Sequence, residues 1–326
     1  MDEISADEFR QTAEAIEQQI AQVIVGQREV VRHVLICVIA GGHALLEGVP
    51  GLGKTMLIKT LSDVLSLRFA RIQFTPDLMP ADITGTDIFE EADTGRKERT
   101  FLPGPIFANL VLADEINRAI PKTQSALLEA MQEHSVTVFG RTYTLDEPFF
   151  VLATQNPLEM EGTYPLPEAQ IDRFMFKVDV QFPSSDELVE ILGRTTGSAQ
   201  SRAGIAADGA QIIRMGALAR KMPIASHVSE YVAQLVVSTH PDNPGATDMV
   251  RKFVRYGSSP RGAQALILGA KINALLGGRF AVAFDDVQAV APAALRHRLL
   301  LNFEGQAEGI RADAVIADLI KKTPAT

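Results

Sequence analysis

Residues 48–55 read GVPGLGKT and match G-x-x-x-x-G-K-[ST] at every fixed position. Their surroundings restrict the fold as much as the match does. His43-Ala44-Leu45-Leu46-Glu47 has the short apolar pattern of a buried strand, and Met56-Leu57-Ile58-Lys59-Thr60-Leu61 opens a helical period directly from the loop. A strand, a glycine-rich turn and a helix in that order make a phosphate cradle. Gly48, Gly51 and Gly53 let the backbone turn tightly, so that several N–H groups face one polyphosphate at the positive end of a helix. The expected binding set is Gly48, Val49, Pro50, Gly51, Leu52, Gly53, Lys54, Thr55 and Met56. Lys54 is placed to reach the β- and γ-phosphates of a nucleotide such as ATP, and the Thr55 hydroxyl to ligate Mg²⁺. A chance glycine-rich turn is the alternative, and the flanking strand and helix argue against it.

At 326 residues the chain has room for two domains, each with its own core. The net charge of −9 disfavours nucleic-acid binding driven by bulk electrostatics, although a local basic patch would escape that argument. One cysteine, Cys37, lies in the apolar run Val34-Leu35-Ile36-Cys37-Val38-Ile39; it reads as a small core residue in a reducing compartment. Six scattered histidines offer no transition-metal ligand spacing. The start MDEISADEFR is acidic and has no signal-peptide core, and the longest apolar stretch, 34–46, is too short to span a bilayer. The expectation is a cytoplasmic protein without a membrane span.

Helical periodicity covers residues 7–24, with Phe9, Ala13, Ile16, Ile20 and Val23 on one side, and again 28–40. Beyond the phosphate loop, apolar strand-like runs occur at 68–74, 108–113, 149–154 and 176–182. Strands separated by helical segments imply a parallel sheet covered on both faces. Residues 86–105, with a turn signal at Asp93-Thr94-Gly95, and 134–147, alternating about Gly140-Arg141, read as inserted β-hairpins; two ordinary surface loops are the plainer reading. After Pro183 the strand signals stop. Helical patterns at 184–196, 209–221, 228–239, 260–276, 285–300 and 310–321, with a small-residue linker at 197–208, predict an α/β domain over 1–183 and an all-α domain over 184–326.

The phosphate loop alone does not distinguish a kinase from a GTPase or a motor. Asn109-Leu110-Val111-Leu112-Ala113-Asp114-Glu115 narrows the choice, because it is an apolar strand ending in two acids, 60 residues after Lys54. Asp114 can hold the Mg²⁺ shell, and Glu115 can polarise a water in line with the γ-phosphate, a pairing that suits hydrolysis. The strand ending at Thr154-Gln155-Asn156-Pro157 would bring the Asn156 amide to that water; Asn-Pro is also a common turn former and says little alone. Arg173 precedes the last strand, where it could neutralise charge on a nucleotide held by a neighbouring subunit. Arg261, in Ser258-Ser259-Pro260-Arg261-Gly262, opens a helix of the α-domain and could sense the γ-phosphate. For either arginine a solvated surface ion pair is the default reading.

As a set these residues resemble the AAA+ ATPases, and within them the MoxR family. The resemblance spans residues 26–300 and is most specific in GPIFANLVLADEINRAIPKTQSALLEAMQEHSVTVFG and FFVLATQNPLEMEGTYPLPEAQIDRF; YGSSPRGAQALI and GGRFAVAFDDVQAVAPAALRHRL are similar to the family's C-terminal lid. It implies Walker A at residues 48–55, Walker B at Asp114 and Glu115, sensor 1 at Asn156, an arginine finger at Arg173 and sensor 2 at Arg261. It further implies that Val25, Gly26 and Gln27 pack near the adenine, that the hairpins are the helix-2 insert and pre-sensor-1 hairpin facing a pore, and that 246–257 is an extra helix that shifts the lid. That shift leaves open whether Arg261 serves its own nucleotide or a neighbour's. One departure is Thr239-His240, where the family usually has Thr-Arg.

The function so implied is Mg²⁺-dependent ATP hydrolysis by a homo-oligomeric ring, typically a hexamer. The family's work is chaperone-like remodelling of protein complexes, often with a separate von Willebrand factor A (VWA) domain partner and sometimes in metal-cofactor insertion. Two alternatives compete: a DNA-acting motor, which the acidic charge disfavours, and an ATP-gated binding module with incidental turnover.

Overall fold

The computed structural model describes residues 4–91, 97–157, 162–197 and 201–324. Two helices precede the first strand. Helix α1 (Ala6–Ala21) starts where the Ser5 hydroxyl accepts the Glu8 N–H at 3.1 Å, and it buries Phe9, Ala13, Ile16 and Ile20 on one face. Helix α2 (Arg28–Ala40) buries an almost continuous run from Val30 to Ala40 and stops at Gly41, which takes the left-handed conformation at φ +69°. Then follow β1 (Ala44–Glu47), α3 (Lys54–Val64), β2 (Phe69–Gln73), α4 (Pro80–Thr84), β3 (Gly85–Glu91), β4 (Lys97–Pro103), β5 (Leu110–Asp114), α5 (Pro121–Glu133), β6 (Ser135–Val138), β7 (Arg141–Thr144), β8 (Phe150–Gln155), α6 (Glu168–Ile171) and β9 (Phe176–Asp179).

Five of these strands form one parallel sheet in the order β2-β5-β8-β1-β9. The inner strands β1, β5 and β8 are buried on both faces, which is why they read as unbroken apolar runs rather than alternating ones. The last strand is shorter than the 176–182 expected: its pairing with β1 ends at Glu47 opposite Asp179, and the Val180 N–H closes on the Glu47 carbonyl.

Both inserts are antiparallel hairpins. β3 pairs with β4 from Gly85 opposite Pro103 to Glu91 opposite Lys97; the turn signal at Asp93-Thr94-Gly95 lies outside the described residues. In the second hairpin Val138 pairs with Arg141, so the turn is Phe139-Gly140, one residue earlier than expected. Both turn residues have positive φ, +45° and +80°, the backbone a two-residue type I′ turn requires. Phe101 of β4 stacks on Tyr143 of β7 with ring centroids 3.9 Å apart, tying the two inserts together.

Beyond Pro183 come α7 (Ser185–Thr195), α8 (Gly209–Lys221), α9 (Ser226–Val237), α10 (Asp248–Phe253), α11 (Pro260–Leu276), α12 (Phe284–Leu295), α13 (Phe303–Ala307) and α14 (Ala312–Lys322). Among the described residues of this part the only strands form one short ribbon, β10 (Val254–Tyr256) against β11 (Leu300–Leu301). The ribbon explains why the 285–300 helix ends at Leu295 and why 246–257 holds only a six-residue helix. Two residues of backbone pairing carry no period that a sequence can display.

One apolar core runs through the molecule. Cys37, Phe176, Leu235, Leu266 and Val290 all belong to it, so the helices after Pro183 share their core with α2 and β9. Contacts are backbone-close: a Cβ on Gly216 of α8 would lie 2.5 Å from the Ile39 carbonyl, and one on Gly269 of α11 would lie 2.8 Å from the Phe176 ring. A second cluster fills the other face of the sheet, under α4 and α5.

Candidate active site

The phosphate loop leaves the C-terminal end of β1. Gly51 and Gly53 have φ of +85° and +77°, and a Cβ on either would meet no atom within 4 Å, so both are needed for backbone shape and their outer side is open. Gly48 is needed for space: its Cβ would sit 2.9 Å from the Val180 carbonyl oxygen. α3 begins at Lys54 with Gly53 as its N-cap and no side chain capping it, leaving its first N–H groups turned towards the loop. Lys54 arches back so that Nζ donates to the Gly48 carbonyl at 2.5 Å. Burial pulls its pKa below the ordinary lysine value, against the opposing pull of Asp114, Glu115 and Glu47. Gln27 joins the loop from the other side, its Nε2 donating to the Leu52 carbonyl at 3.0 Å. Gly26 and Gln27 both have positive φ, and Glu187 covers Gly26.

The acids sit two strands away, across β8. Asp114 ends β5 and Glu115 follows in a left-handed conformation at φ +56°, an uncommon one for a non-glycine residue. Thr154 of β8 holds both: its Oγ1 donates to Asp114 Oδ1 at 2.6 Å and accepts the Glu115 N–H at 2.8 Å. Arg71 places two N–H groups on Asp114 Oδ2, at 2.7 and 3.2 Å. Gln73 Nε2 and Arg118 Nη1 each donate to Glu115 Oε2 at 2.8 Å. Asn156 is buried just beyond β8, next to the strand that leads into the phosphate loop. The structure therefore brings Lys54, Thr55, Asp114, Glu115 and Asn156 to one edge of the sheet, the edge where parallel α/β sheets bind ligands.

Arg173 and Arg261 lie at the opposite edge. The Met175 N–H donates to the His43 carbonyl at 2.8 Å, before the pairing of Ala44 with Phe176, whereas the phosphate loop departs after Glu47 and Asp179. The intervening strand is about 13 Å long at its ordinary rise. Arg173 packs against α5 instead of projecting freely: Nη1 donates to the Leu128 carbonyl at 2.8 Å, and its Nε is buried with no hydrogen-bond partner. Arg261 is about half exposed, with Nη1 3.6 Å from Asp172 Oδ2. The two arginines line one recess of about 760 Å³. His240, the departure noted above, places Nε2 3.1 Å from the Ser258 carbonyl, just ahead of α11.

Sequence reasoning missed Arg71, Gln73, Thr154 and Arg118, and also Asp172, whose Oδ1 accepts Arg298 Nε at 2.8 Å beside Arg261. Gln73 closes its strand as Asp114 does and Thr154 ends the apolar run 149–154, but nothing local says which acid either side chain reaches. Nothing local marks Asp172 or Arg298.

Comparison with known proteins bears on the family and the fold. The family model described as ATPase family associated with various cellular activities (AAA) matches residues 43–176, and that of the AAA lid domain matches 247–319. Chaperone MoxR1 of Mycobacterium tuberculosis is 44% identical over 299 residues, covering 91% of this chain and 78% of that protein. Protein MoxR of Paracoccus denitrificans is 31% identical, covering 93% and 92%. The chain belongs to the MoxR family of AAA+ ATPases. A crystal structure from Cytophaga hutchinsonii, described provisionally as an ATPase, superposes with a TM-score of 0.90 at 39% identity and covers 98% of this MoxR-family chain and 96% of its own. Among the described residues no helix is long and apolar enough to cross a membrane, and no cluster of three or more His, Cys, Asp or Glu side chains could hold a metal unaided.

Proposed function

We propose that this chain hydrolyses ATP in a ring of identical copies, with residues 1–183 forming the nucleotide-binding domain and 184–326 the lid. The observation that carries this reading is the division of labour across the sheet: an open phosphate cradle with two acids at one edge, two arginines at the other. Thr55 and Asp114 are the residues that would hold a magnesium ion, which would supply neutralisation of triphosphate charge. One hydroxyl and one carboxylate are the sparse donor set that such an ion takes beside a nucleotide.

Glu115 accepts a proton from water as the water oxygen bonds to the γ-phosphorus; the bond from that phosphorus to the bridging oxygen breaks, giving ADP and phosphate. The Asn156 amide orients the water. Lys54 neutralises the developing charge from within the chain, and Arg173 and Arg261 do so from a neighbouring copy, because their own loop lies a strand length away. Gly26 and Gln27 border the base. The family relationship and the relative named a chaperone support a chaperone-like role, remodelling protein complexes with a separate VWA-domain protein, with metal-cofactor insertion as one form of that work; a hexamer is the expected ring.

Mixing subunits tests the core of this. Arg173→Ala and Glu115→Gln variants should each be nearly inactive, and mixing them should restore part of the turnover, because some interfaces then pair an intact loop with an intact arginine. No recovery at any ratio would defeat the shared site.

A further inference from the structure

Two guanidinium groups, of Arg261 and Arg298, and one carboxylate meet where α6 ends. Asp172 accepts the Ser259 hydroxyl at 2.8 and 2.9 Å and Arg298 Nε at 2.8 Å, and it stands 3.6 Å from Arg261 Nη1. Its chain neighbour is Arg173. Ser259 is the N-cap of α11, so one hydroxyl both starts the helix that carries Arg261, accepting the Arg261 N–H at 3.2 Å, and ties that helix to Asp172. Arg298, whose side chain is 2% exposed, donates to the carbonyls of Asp172, Phe174, Met175 and Ala294, fastening this segment to the end of α12.

From this geometry we infer that Asp172 is a positioning residue that joins the Arg173 segment to the Arg261 helix, so that both cations meet a neighbouring copy's triphosphate at one fixed spacing. The inference rests on the shared-site reading above. Its physical basis is twofold. Arg261 is a half-exposed side chain with rotamer freedom to lose, and transition-state stabilisation falls steeply when a charged group is displaced by an ångström. Without Asp172, the buried Arg298 would also repel Arg261 with no anion between them. Neither partner alone provides this coupling, because the carboxylate stands between them.

Kinetics of the assembled full-length chain test it. Asp172→Asn keeps an acceptor for Arg298 but loses the charge; it should lower kcat roughly tenfold or more, on the scale of one lost charge-assisted contact, while leaving equilibrium ATP binding unchanged. In an Arg261→Ala background the same change should cost less than about twofold, the non-additivity expected of residues acting through one another. Ser259→Ala leaves the buried ion pair intact and guards against misfolding; it should reduce kcat several-fold with the same background dependence. Equal losses in both backgrounds, or unchanged kcat in Asp172→Asn, would overturn the positioning role and leave the shared site standing. If Arg173→Ala and Arg261→Ala both turn over ATP at the unmodified rate, the shared site falls and the positioning role with it.

Discussion

Thr154 governs two acids through a single oxygen. Because its hydroxyl donates to Asp114 and accepts from the Glu115 N–H, it sets the distance between the proposed metal ligand and the proposed base. Thr154→Val keeps the shape of this buried side chain and removes both bonds. We expect kcat to fall about ten- to a hundredfold, the equivalent of roughly 1–3 kcal/mol for unpaired buried groups, and the Mg²⁺ requirement to rise; a magnesium titration of turnover measures both. Lys54 is different in kind, because its charge serves binding as well as chemistry. Lys54→Ala should abolish ATP affinity in an equilibrium titration of the unassembled chain, and unchanged affinity would contradict the cradle. The sequence displayed Lys54 through a motif. It displayed Thr154 only as the last residue of an apolar run, since which acid a threonine reaches depends on the neighbouring strand.

At the scale of elements, His43 locks β1 to its surroundings. Its Nε2–H donates to the Met131 carbonyl of α5 at 3.0 Å, and its Nδ1 accepts the Val151 N–H of β8 at 3.0 Å. Only the neutral ring satisfies both, and a proton on Nδ1 would face an N–H. Burial accordingly holds the pKa at about 4. The unfolded chain binds this proton near pH 6.5 and the folded chain not until about pH 4, so the contribution is complete above 6.5 and is lost as pH falls through that window, to a limit of roughly 3 kcal/mol. His33 and His297, also pulled down by burial, act in the same direction. Denaturant unfolding at pH 7 and pH 5 should therefore show a shallower decline for His43→Gln than for the unmodified protein, starting from lower stability at pH 7. The hairpins belong to this scale as well. A turn signal between β-prone ends marked the first in the sequence and alternation about Gly140-Arg141 the second, but the stacking of Phe101 on Tyr143 joins segments 42 positions apart and is invisible to any local pattern.

For the whole molecule, the shared core matters more than the division near Pro183. Phe176, Ile39 and the rest of the α2–β9 face are covered by α8, α11 and α12. Residues 1–183 expressed alone should consequently aggregate or bind a hydrophobic dye strongly, whereas the full chain should not; a soluble, cooperatively folding fragment would show the core to be less continuous in solution. The sequence by itself determined the parallel α/β core, the phosphate loop, the acidic pair and the helical C-terminal part, because strand and helix periods, turn glycines and a contiguous motif are all local in the chain. Only the tertiary structure decided that Arg173 and Arg261 share one edge while the loop occupies the other, and that Thr154, Gln73 and Asp172 hold the groups between. Those facts follow from strand order and register, which bring together residues far apart in sequence and leave no trace in the composition of any single segment.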